Sequence, residues 1–285
     1  MGFFTTFWTW LNGQLSSYIG DTTLKVAAAI EPAVVTLATL YVMCWGYLHL
    51  TGRIDEPIAV GLKRFVVLAV VLGVALHLWA YNTVIVDTFY NAPAQLAASV
   101  IGTTQPVQTI DTIWDKGGTV AGYLWGNGGL VNGDLGYYIA GVIVWCLVGT
   151  LCVYTMFLIA LSSIALSVLL ALGPLFFTAL LFESTRRLFE SWLAQLTNYA
   201  LIAVLTVLVA SLLLQIVASY AEQTAARGAS VASVDSLDMV LVSVLVFLVM
   251  RQVMPIAAGL ASGVALNTFG TVSRLMLWGT RWARW

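Results

Sequence analysis

Apolar residues fill this chain in long runs that charged clusters interrupt. About 20 consecutive apolar residues are enough to cross a hydrocarbon core of about 30 Å. The runs predict five transmembrane helices, over residues 32–50, 65–86, 137–182, 192–220 and 237–258. The predicted fold class is therefore an all-α, polytopic integral membrane protein, with a first transmembrane hairpin over residues 32–86 and a transmembrane core over residues 137–258.

Residues 1–31 precede the first span and carry apolar side chains at helical spacing. The apolar positions are Phe4, Phe7, Trp8, Leu11, Leu15, Tyr18 and Ile19, opposite Thr5, Thr6, Asn12, Ser16 and Ser17. This pattern is typical of an amphipathic helix that lies at a membrane surface. A short extra span is the alternative, because residues 1–20 carry no charge and approach the minimum length for a crossing.

Residues 87–136 form a long connection with an acidic balance, and from Gly117 onward it is rich in glycine. Such a run predicts turns rather than helix. Trp114 and Trp125 are candidate aromatic platforms for a nucleic-acid base or an unfolded polypeptide, with Asp111 and Asp115 beside them. Tryptophan is also common at membrane interfaces, which is the alternative interpretation of both indoles.

No charge interrupts the stretch from Leu135 to Phe182, which is longer than one crossing needs. One interpretation is a single crossing broken near Ser162–Ser163 and at Gly173–Pro174, and the other is two crossings joined by a tight turn. Lys and Arg concentrate on the cytoplasmic side of short loops. A single crossing places most of the 12 basic residues on one side, whereas two crossings remove that asymmetry.

Charge distribution therefore favours five crossings, with the N-terminus and the 87–136 loop in the periplasm of a bacterium and the C-terminus in the cytoplasm. The tail over residues 259–285 combines arginines with three tryptophans, which is typical of a helix on an anionic membrane surface. The predicted cytoplasmic anchors are Arg186, Arg187, Arg251, Arg274, Arg281 and Arg284.

The amino-acid composition supports a membrane protein and excludes other classes of protein. Hydrophobic residues make up 60% of the chain and charged residues 9%, which excludes a water-soluble globular protein. The net charge of −1 gives no electrostatic footprint for stable nucleic-acid binding, so contact with a polyanion has to be transient or shared. Cys44, Cys146 and Cys152 lie in apolar runs without metal-ligand spacing, so they predict buried packing and no disulfide framework.

The chain also lacks the patterns of catalysis and of coupled transport. His49 and His77 have no metal-ligand neighbours, and neither a phosphate-binding loop nor a nucleophile motif occurs. The sequence therefore predicts no enzyme activity, no metal and no cofactor. It instead has small residues at helical spacing that allow close helix packing, either within the chain or between copies: Ala257, Gly259, Ala261 and Gly263.

Three segments resemble one known family. The segments are Ala171-Leu172-Gly173-Pro174-Leu175-Phe176-Phe177, Phe182-Glu183-Ser184-Thr185-Arg186-Arg187-Leu188-Phe189-Glu190-Ser191-Trp192-Leu193 and Gln195-Leu196-Thr197-Asn198-Tyr199-Ala200-Leu201. They are similar to the signature of the TrbL-like polytopic inner-membrane subunits of type IV secretion and conjugation systems. Trp45-Gly46-Tyr47-Leu48, Arg53, Glu56-Pro57 and Lys63-Arg64 resemble the first cytoplasmic loop of that family.

The resemblance implies a non-enzymatic channel or platform subunit in the bacterial inner membrane. It implies a homo-oligomeric ring, contact with translocating DNA or protein, and work beside the secretion ATPases in recruiting pilin and minor pilin subunits. It makes Gly173 and Pro174, with Arg186 and Arg187, structural landmarks of the inner core. A small-solute transporter is the main alternative, disfavoured by the lack of paired intramembrane charges and of an inverted repeat, and a membrane-embedded enzyme is a third class.

Overall fold

A computed structural model of the protein describes residues 2–53, 58–101, 106–127, 135–181, 185–226 and 233–261, and every regular element in these ranges is helical. The elements are α1 (Phe3–Leu50), α2 (Ile58–Leu76), α3 (Leu78–Tyr81), a π-helical segment (Asn82–Asn91), α4 (Ala92–Ile101), α5 (Pro106–Asn127), α6 (Leu135–Ala171), α7 (Gly173–Thr178), a 3-10 turn (Ala179–Leu181), α8 (Arg186–Ala226) and α9 (Ser233–Met250). A last helical stretch covers residues 253–261.

Within these ranges, four helices are long and apolar enough to cross a membrane: Phe3–Leu50, Leu135–Ala171, Arg186–Leu212 and Val240–Ala261. A bent pair, Leu68–Val74 with Trp79–Val100, is a fifth candidate, with an angle of 89° between its halves. The prediction of an all-α, polytopic protein with about five spans is confirmed, since four to five apolar helices are long enough to cross a membrane. The bend between these halves was not predicted, and the second span therefore is not one straight helix over residues 65–86.

Helix α1 joins two segments that the sequence predicts as separate. It runs from Phe3 to Leu50 without a break, although Pro32 lies inside it. Proline removes one helix hydrogen bond and commonly kinks a helix, but neighbouring groups can compensate. The predicted surface helix and the predicted first span are thus one helix of 48 residues.

Helix α6 decides between the two interpretations of the uncharged stretch. It continues from Leu135 to Ala171, so two crossings joined by a turn within it are wrong. The predicted break near Ser162–Ser163 is also wrong. The Ser162 hydroxyl is buried and donates to the Ile159 carbonyl at 2.9 Å, so its hydrogen bond is satisfied inside the helix. The helix ends at Ala171, beside the predicted Gly173–Pro174 break.

Turns do not dominate the connection over residues 87–136. Its described part is helical in the π-helical segment, α4 and α5, and α5 contains Gly117, Gly118, Gly122 and Gly126. The expectation that this glycine run breaks the helix is wrong as far as Asn127, and residues 128–134 lie outside the described ranges. Tertiary packing overrides the weak helix propensity of glycine here, because α5 buries an apolar stripe: Val107, Ile110, Ile113, Val120, Ala121 and Leu124.

The chain divides into two compact units. The first contains residues 1–13, 93–164 and 198–260, and the second contains residues 14–92, 165–197 and 261–285. The core of the first unit gathers apolar side chains from α5, α6, α8 and α9, among them Ile110, Leu151, Val207 and Val246. In the second unit, α2 packs on α7.

The three cysteines differ in their surroundings. Cys152 is buried in the core of the first unit, as predicted. Cys44 and Cys146 are exposed, so the prediction of buried packing is wrong for these two. They lie on the candidate spans Phe3–Leu50 and Leu135–Ala171, where an exposed side chain of low polarity can meet lipid.

Glycines on α5 and α6 let the two helices approach closely within the first unit. A methyl group added at Gly117 would lie 2.6 Å from a methyl carbon of Val148, and one added at Gly149 would lie 3.0 Å from the Trp114 ring. At Gly141 the nearest atom would be Nε1 of Trp125, at 2.6 Å. These glycines therefore leave room for larger side chains of the facing helix.

We expect opposite effects from alanine at two adjacent glycines of α5. Gly117→Ala forces the added methyl against Val148 and should lower the melting temperature. Gly118→Ala meets nothing within 4 Å and should hold or raise it, because alanine is favoured over glycine in a helix by about 1 kcal/mol. Thermal unfolding of the detergent-solubilised protein measures both, and equal effects would contradict the packing described for Gly117.

Candidate functional site

The end of α6 is an elbow at which the chain turns from α6 into α7. In a continuous α-helix, the carbonyl of Leu170 would accept a hydrogen bond from the backbone N–H of residue 174. Residue 174 is proline, which has no N–H to donate. The Tyr81 hydroxyl takes its place and donates to the Leu170 carbonyl at 2.6 Å.

A second side chain serves the neighbouring carbonyl. Leu169 would pair with the N–H of Gly173 in an unbroken helix, but the helix ends at Ala171. The indole Nε1 of Trp192, on α8, donates to the Leu169 carbonyl at 2.9 Å. Tyr81 and Trp192 are both buried, so these two donors replace water at a helix end where water is scarce.

Gly173 makes the Tyr81 contact possible. A Cβ at this position would lie 1.7 Å from the Tyr81 oxygen, closer than any non-bonded contact allows. The glycine-proline pair therefore has two distinct roles. Proline leaves the carbonyl without its helix donor, and glycine leaves room for the hydroxyl that replaces it.

Aromatic rings pack around the elbow and hold its helices together. Phe176 stacks on Trp192 with ring centroids 5.7 Å apart, and Phe177 meets Trp192 edge to face at 5.6 Å. Phe177 also contacts Tyr81 and Phe189, with ring centroids 6.0 Å and 5.2 Å away. Aromatic pairs in these geometries add about 0.5–1.5 kcal/mol each beyond the area they bury. The elbow is thus a rigid junction of α3, α6, α7 and α8.

The predicted basic anchors near the elbow lie at the start of α8. Arg186 forms an ion pair with Glu190 at 3.2 Å, and Arg187 is exposed. Cations at a helix N-terminus are opposed by the helix dipole. The Glu190 carboxylate offsets that cost for Arg186. Arg251, at the end of α9, is exposed.

Asp111 of α5 holds the N-terminus of α1, within the first unit. One carboxylate oxygen accepts the Phe4 backbone N–H at 2.9 Å, and the other accepts the Thr5 N–H at 2.9 Å and the Thr5 hydroxyl at 2.5 Å. A negative side chain is favoured at a helix N-terminus, where backbone donors are free. Gly2 leaves space for this contact, since a Cβ there would lie 2.0 Å from the Asp111 Cγ. The contact is called the N-terminal clamp below.

The four predicted contact residues all lie on α5, but they differ in how much of each side chain is exposed. Asp111 is buried in the clamp, whereas Asp115, one turn further along the helix, is exposed. Trp114 is partly buried against α6, with its ring centroid 5.3 Å from that of Trp145. Trp125 packs against Gly141 and keeps 37% of its surface exposed. Their contact with substrate stays a prediction, and Asp115 and Trp125 are the two with exposed surface.

The small residues that were predicted to allow close helix packing also differ in their burial. Ala257 and Ala261 are buried within the protein, and Gly259 is exposed. Gly263, Arg274, Arg281 and Arg284, with the rest of the predicted tail after residue 261, lie outside the described residues. Packing between copies through this stripe stays a prediction.

Sequence reasoning did not find Tyr81 or Trp192 as partners of the Gly173–Pro174 elbow. A signal for them exists, because a proline after a long apolar helix predicts an unpaired carbonyl four residues earlier and hence a buried donor from elsewhere. Which donor supplies that bond depends on tertiary contacts between residues 89 and 23 positions apart in sequence. Spacing along one helix carries no information about such contacts.

The fold and the elbow define a multi-pass helical membrane protein, and comparison with known proteins gives its family. Residues 38–253 match the family described as TrbL/VirB6 plasmid conjugal transfer protein. The matched region contains the elbow, the N-terminal part of α8 and most of the candidate spans. The chain belongs to the TrbL/VirB6 family, as the resemblance predicted.

Curated relatives agree with this assignment. The chain is 26% identical over 211 residues to the type IV secretion system protein VirB6 of Bartonella quintana, covering 71% of this chain and 63% of the relative. It is 28% identical over 200 residues to Protein VirB6 of Agrobacterium fabrum, covering 68% and 66%. For VirB6 of Brucella abortus the identity is 26% over 199 residues, covering 65% and 56%. The chain thus spans somewhat less than two thirds of the length of the Bartonella and Brucella relatives.

Removal of the Tyr81 hydroxyl should destabilise the elbow. Tyr81→Phe leaves the Leu170 carbonyl buried without a donor, at a cost of about 1–3 kcal/mol. The melting temperature should fall by about 2–4 °C for each kcal/mol. Tyr47→Phe, at a side chain that is 65% exposed, is the matched control. Adding Pro174→Ala restores a backbone N–H and should recover part of the loss, whereas equal melting temperatures for Tyr81→Phe and Tyr47→Phe would contradict the assigned role.

Neutralising Asp111 should loosen the N-terminal clamp. In Asp111→Asn the side chain has one acceptor oxygen in place of two and loses the charge that favours the helix N-terminus, so we expect a loss of about 1–3 kcal/mol. The same substitution should speed hydrogen exchange at the Phe4 and Thr5 amides. Asp115→Asn, at the exposed carboxylate of the same helix, should change neither quantity. Unchanged exchange in Asp111→Asn would show that the clamp contributes nothing.

Proposed function

We propose that this protein is a non-enzymatic subunit of a type IV secretion system, embedded in the bacterial inner membrane. It acts there as part of a channel or platform that supports translocation of DNA or protein and assembly of a pilus. The observation that carries the proposal is the family match over residues 38–253, reinforced by relatives named type IV secretion system protein. The described side chains with strong polar contacts, Asp111, Tyr81 and Trp192, hold helices together rather than form a reactive cluster.

The surface that we propose for substrate contact is the outer face of α5. It consists of exposed residues that recur on the side of the helix opposite its buried stripe: Gln108, Thr112, Asp115, Thr119, Gly122 and Tyr123. A helix with one buried apolar stripe and one polar face lies at a boundary between protein and water. This face is therefore suited to a partner that arrives from the aqueous side.

The chemistry of this face fits passing contact better than tight binding. Its threonine hydroxyls are engaged with the helix backbone, since Thr112 donates to the Gln108 carbonyl at 3.0 Å and Thr119 donates to the Asp115 carbonyl at 2.9 Å. Its formal charge comes from the Asp115 carboxylate. A face of this kind offers no cluster of cations to retain nucleic-acid phosphates. A conduit needs such a surface, because cargo has to leave as readily as it arrives.

Apolar side chains that remain exposed on the spans support assembly into a homo-oligomeric ring. On α9 these include Leu241, Leu245 and Leu248, each more than half exposed. In the membrane such side chains are covered by lipid or by a neighbouring copy. The same ring would give the pilin and minor pilin subunits and the secretion ATPases a common platform.

Sidedness follows from the charge argument. We propose that the N-terminus and α5 are periplasmic, that the start of α8 with Arg186 and Arg187 is cytoplasmic, and that the C-terminus is cytoplasmic. Arg186 and Arg187 at a helix N-terminus oppose the helix dipole, so they contribute little to the stability of α8. Their position is explained by the preference for positive charge on the cytoplasmic side.

A photo-crosslinking amino acid should capture cargo or pilin from α5 during transfer. Placed at Thr119 on the outer face, it should yield crosslinks that depend on active secretion ATPases. Placed at Leu188, which is 56% exposed in the first turn of α8, it should not capture periplasmic pilin. Deletion of the protein should abolish transfer, and expression of the unmodified chain should restore it.

Two controls separate the parts of the proposal. A membrane-impermeant thiol reagent applied to intact cells should label Thr119→Cys but not Leu188→Cys in a cysteine-free background. Labelling of Leu188→Cys would overturn the sidedness while leaving the family assignment intact. Undiminished transfer after deletion would overturn the secretion role, and solute uptake by liposomes containing the purified protein would favour a transporter.

A further inference from the structure

The π-helical segment brings together polar side chains that an α-helix would separate. Asn82 and Asn91 are nine positions apart, which is about two and a half turns of an α-helix and would place them on opposite sides. The hydrogen bonds of a π-helix run from residue i to i+5, so each turn takes more residues. Asn82, Asp87 and Asn91 consequently line one cavity. π-helices mostly last a single turn and are frequent at functional sites, whereas this one covers ten residues.

The cavity lies between the π-helical segment and α1, within the second unit. Its volume is about 250 Å³, several times the space of about 30 Å³ that one water molecule occupies. Ile19 of α1 and Val86 give it an apolar wall. The Tyr90 hydroxyl, at the same cavity, is hydrogen-bonded to the side chains of Ser16 on α1 and Ser167 on α6. Side-chain hydrogen bonds thus join the helices that enclose the cavity.

The polar groups that the asparagines and the aspartate offer to the cavity are hydrogen-bond acceptors. The Asn91 Nδ2 donates to Oδ1 of Asp87 at 2.7 Å, which leaves the amide oxygen of Asn91 to accept. The Asn82 Oδ1 is buried, and none of the described residues donates to it. A buried oxygen without a donor is unfavourable. The described residues that line the cavity carry one formal charge, on Asp87, and no cation. The cavity therefore requires a cation that donates hydrogen bonds.

We propose that this cavity binds a primary ammonium group, supplied by the headgroup of phosphatidylethanolamine or by a soluble alkylamine. An ammonium group has three N–H donors, which match the acceptors of Asn82, Asp87 and Asn91. The methylene groups next to it pack on Ile19 and Val86. Lipid can supply this group because the π-helical segment belongs to the candidate span Trp79–Val100. The proposal adds to the secretion role and does not depend on it.

Other cations match the cavity less well. A guanidinium pairs best with both oxygens of a carboxylate, but one oxygen of Asp87 is already engaged by Asn91. A quaternary ammonium has no N–H to give the Asn82 oxygen, and its recognition depends on a cage of several aromatic rings. The described residues also contain no group of three or more His, Cys, Asp or Glu side chains that could hold a metal ion.

Ligand-induced thermal stabilisation of the full-length, detergent-solubilised protein tests the proposal, after bound lipid is removed and its removal is verified by phosphorus assay. Ethanolamine and a short-chain phosphatidylethanolamine should each raise the melting temperature as their concentration rises. Choline and the matching phosphatidylcholine, which lack N–H donors, should not. Asp87→Asn should weaken the apparent affinity about tenfold or more, as expected for one charge-assisted hydrogen bond. Asp238→Asn, at an exposed carboxylate of α9, is the matched control.

Two further variants separate binding from stability. Gly20 lines the cavity and has open space around it, so Gly20→Leu should fill the cavity and abolish the shift while the protein stays folded. Gly13→Leu, at an exposed glycine of the same helix, gains the same helix propensity and should keep the shift. Asn82→Leu removes the unpaired oxygen, so it should hold or raise the melting temperature without ligand and yet reduce the shift.

The two sources give different results. A shift with phosphatidylethanolamine alone identifies the lipid headgroup as the ligand, and a shift with ethanolamine alone identifies a soluble amine. Equal shifts with the choline compounds would overturn the proposal, because recognition would then not use N–H donors. A shift that persists in both Asp87→Asn and Gly20→Leu would place binding elsewhere, and the absence of any shift in the unmodified protein would show that the cavity binds no amine.

Discussion

A backbone carbonyl that is buried away from water costs several kcal/mol when it is left without a hydrogen-bond donor. The elbow between α6 and α7 meets this constraint at the point where the helix ends and proline removes a donor. Tyr81 and Trp192 supply the missing hydrogen bonds from two other helices. The aromatic packing around Phe177 then follows from the need to bring those two donors to one place. Two side-chain hydrogen bonds thus pair the last carbonyls of α6 in the second unit.

In the first unit, the unpaired backbone groups lie at the start of a helix instead of at its end. There the free groups are backbone donors, and a single carboxylate, Asp111, accepts from two of them and from the Thr5 hydroxyl. A buried carboxylate is costly unless its oxygens are hydrogen-bonded, and here both are. A helix end is therefore satisfied by a distant side chain in each unit, with the polarity of the side chain matched to the polarity of the end.

Much of the architecture could be predicted because it depends on local composition. Long uncharged runs such as residues 135–182 predict spans, and the Gly173–Pro174 pair predicts the break that ends α6. Helix α5 could not be predicted from propensity, since its glycines matter only through what faces them on α6, as Gly117 faces Val148. Asp111 was predicted as a contact residue because it lies near Trp114 in an acidic connection. Its burial depends on the N-terminus, more than 100 residues earlier.

Tyr81 and Gly173 together set a limit on how this family can diverge. The hydroxyl occupies the volume that any side chain at position 173 would need, and it donates to the carbonyl that residue 174, a proline, cannot pair with. A relative that replaces the tyrosine by a residue without a hydroxyl gains freedom at position 173 but then requires a donor at position 174. We therefore expect substitutions at these three positions to co-occur among relatives rather than to arise one at a time.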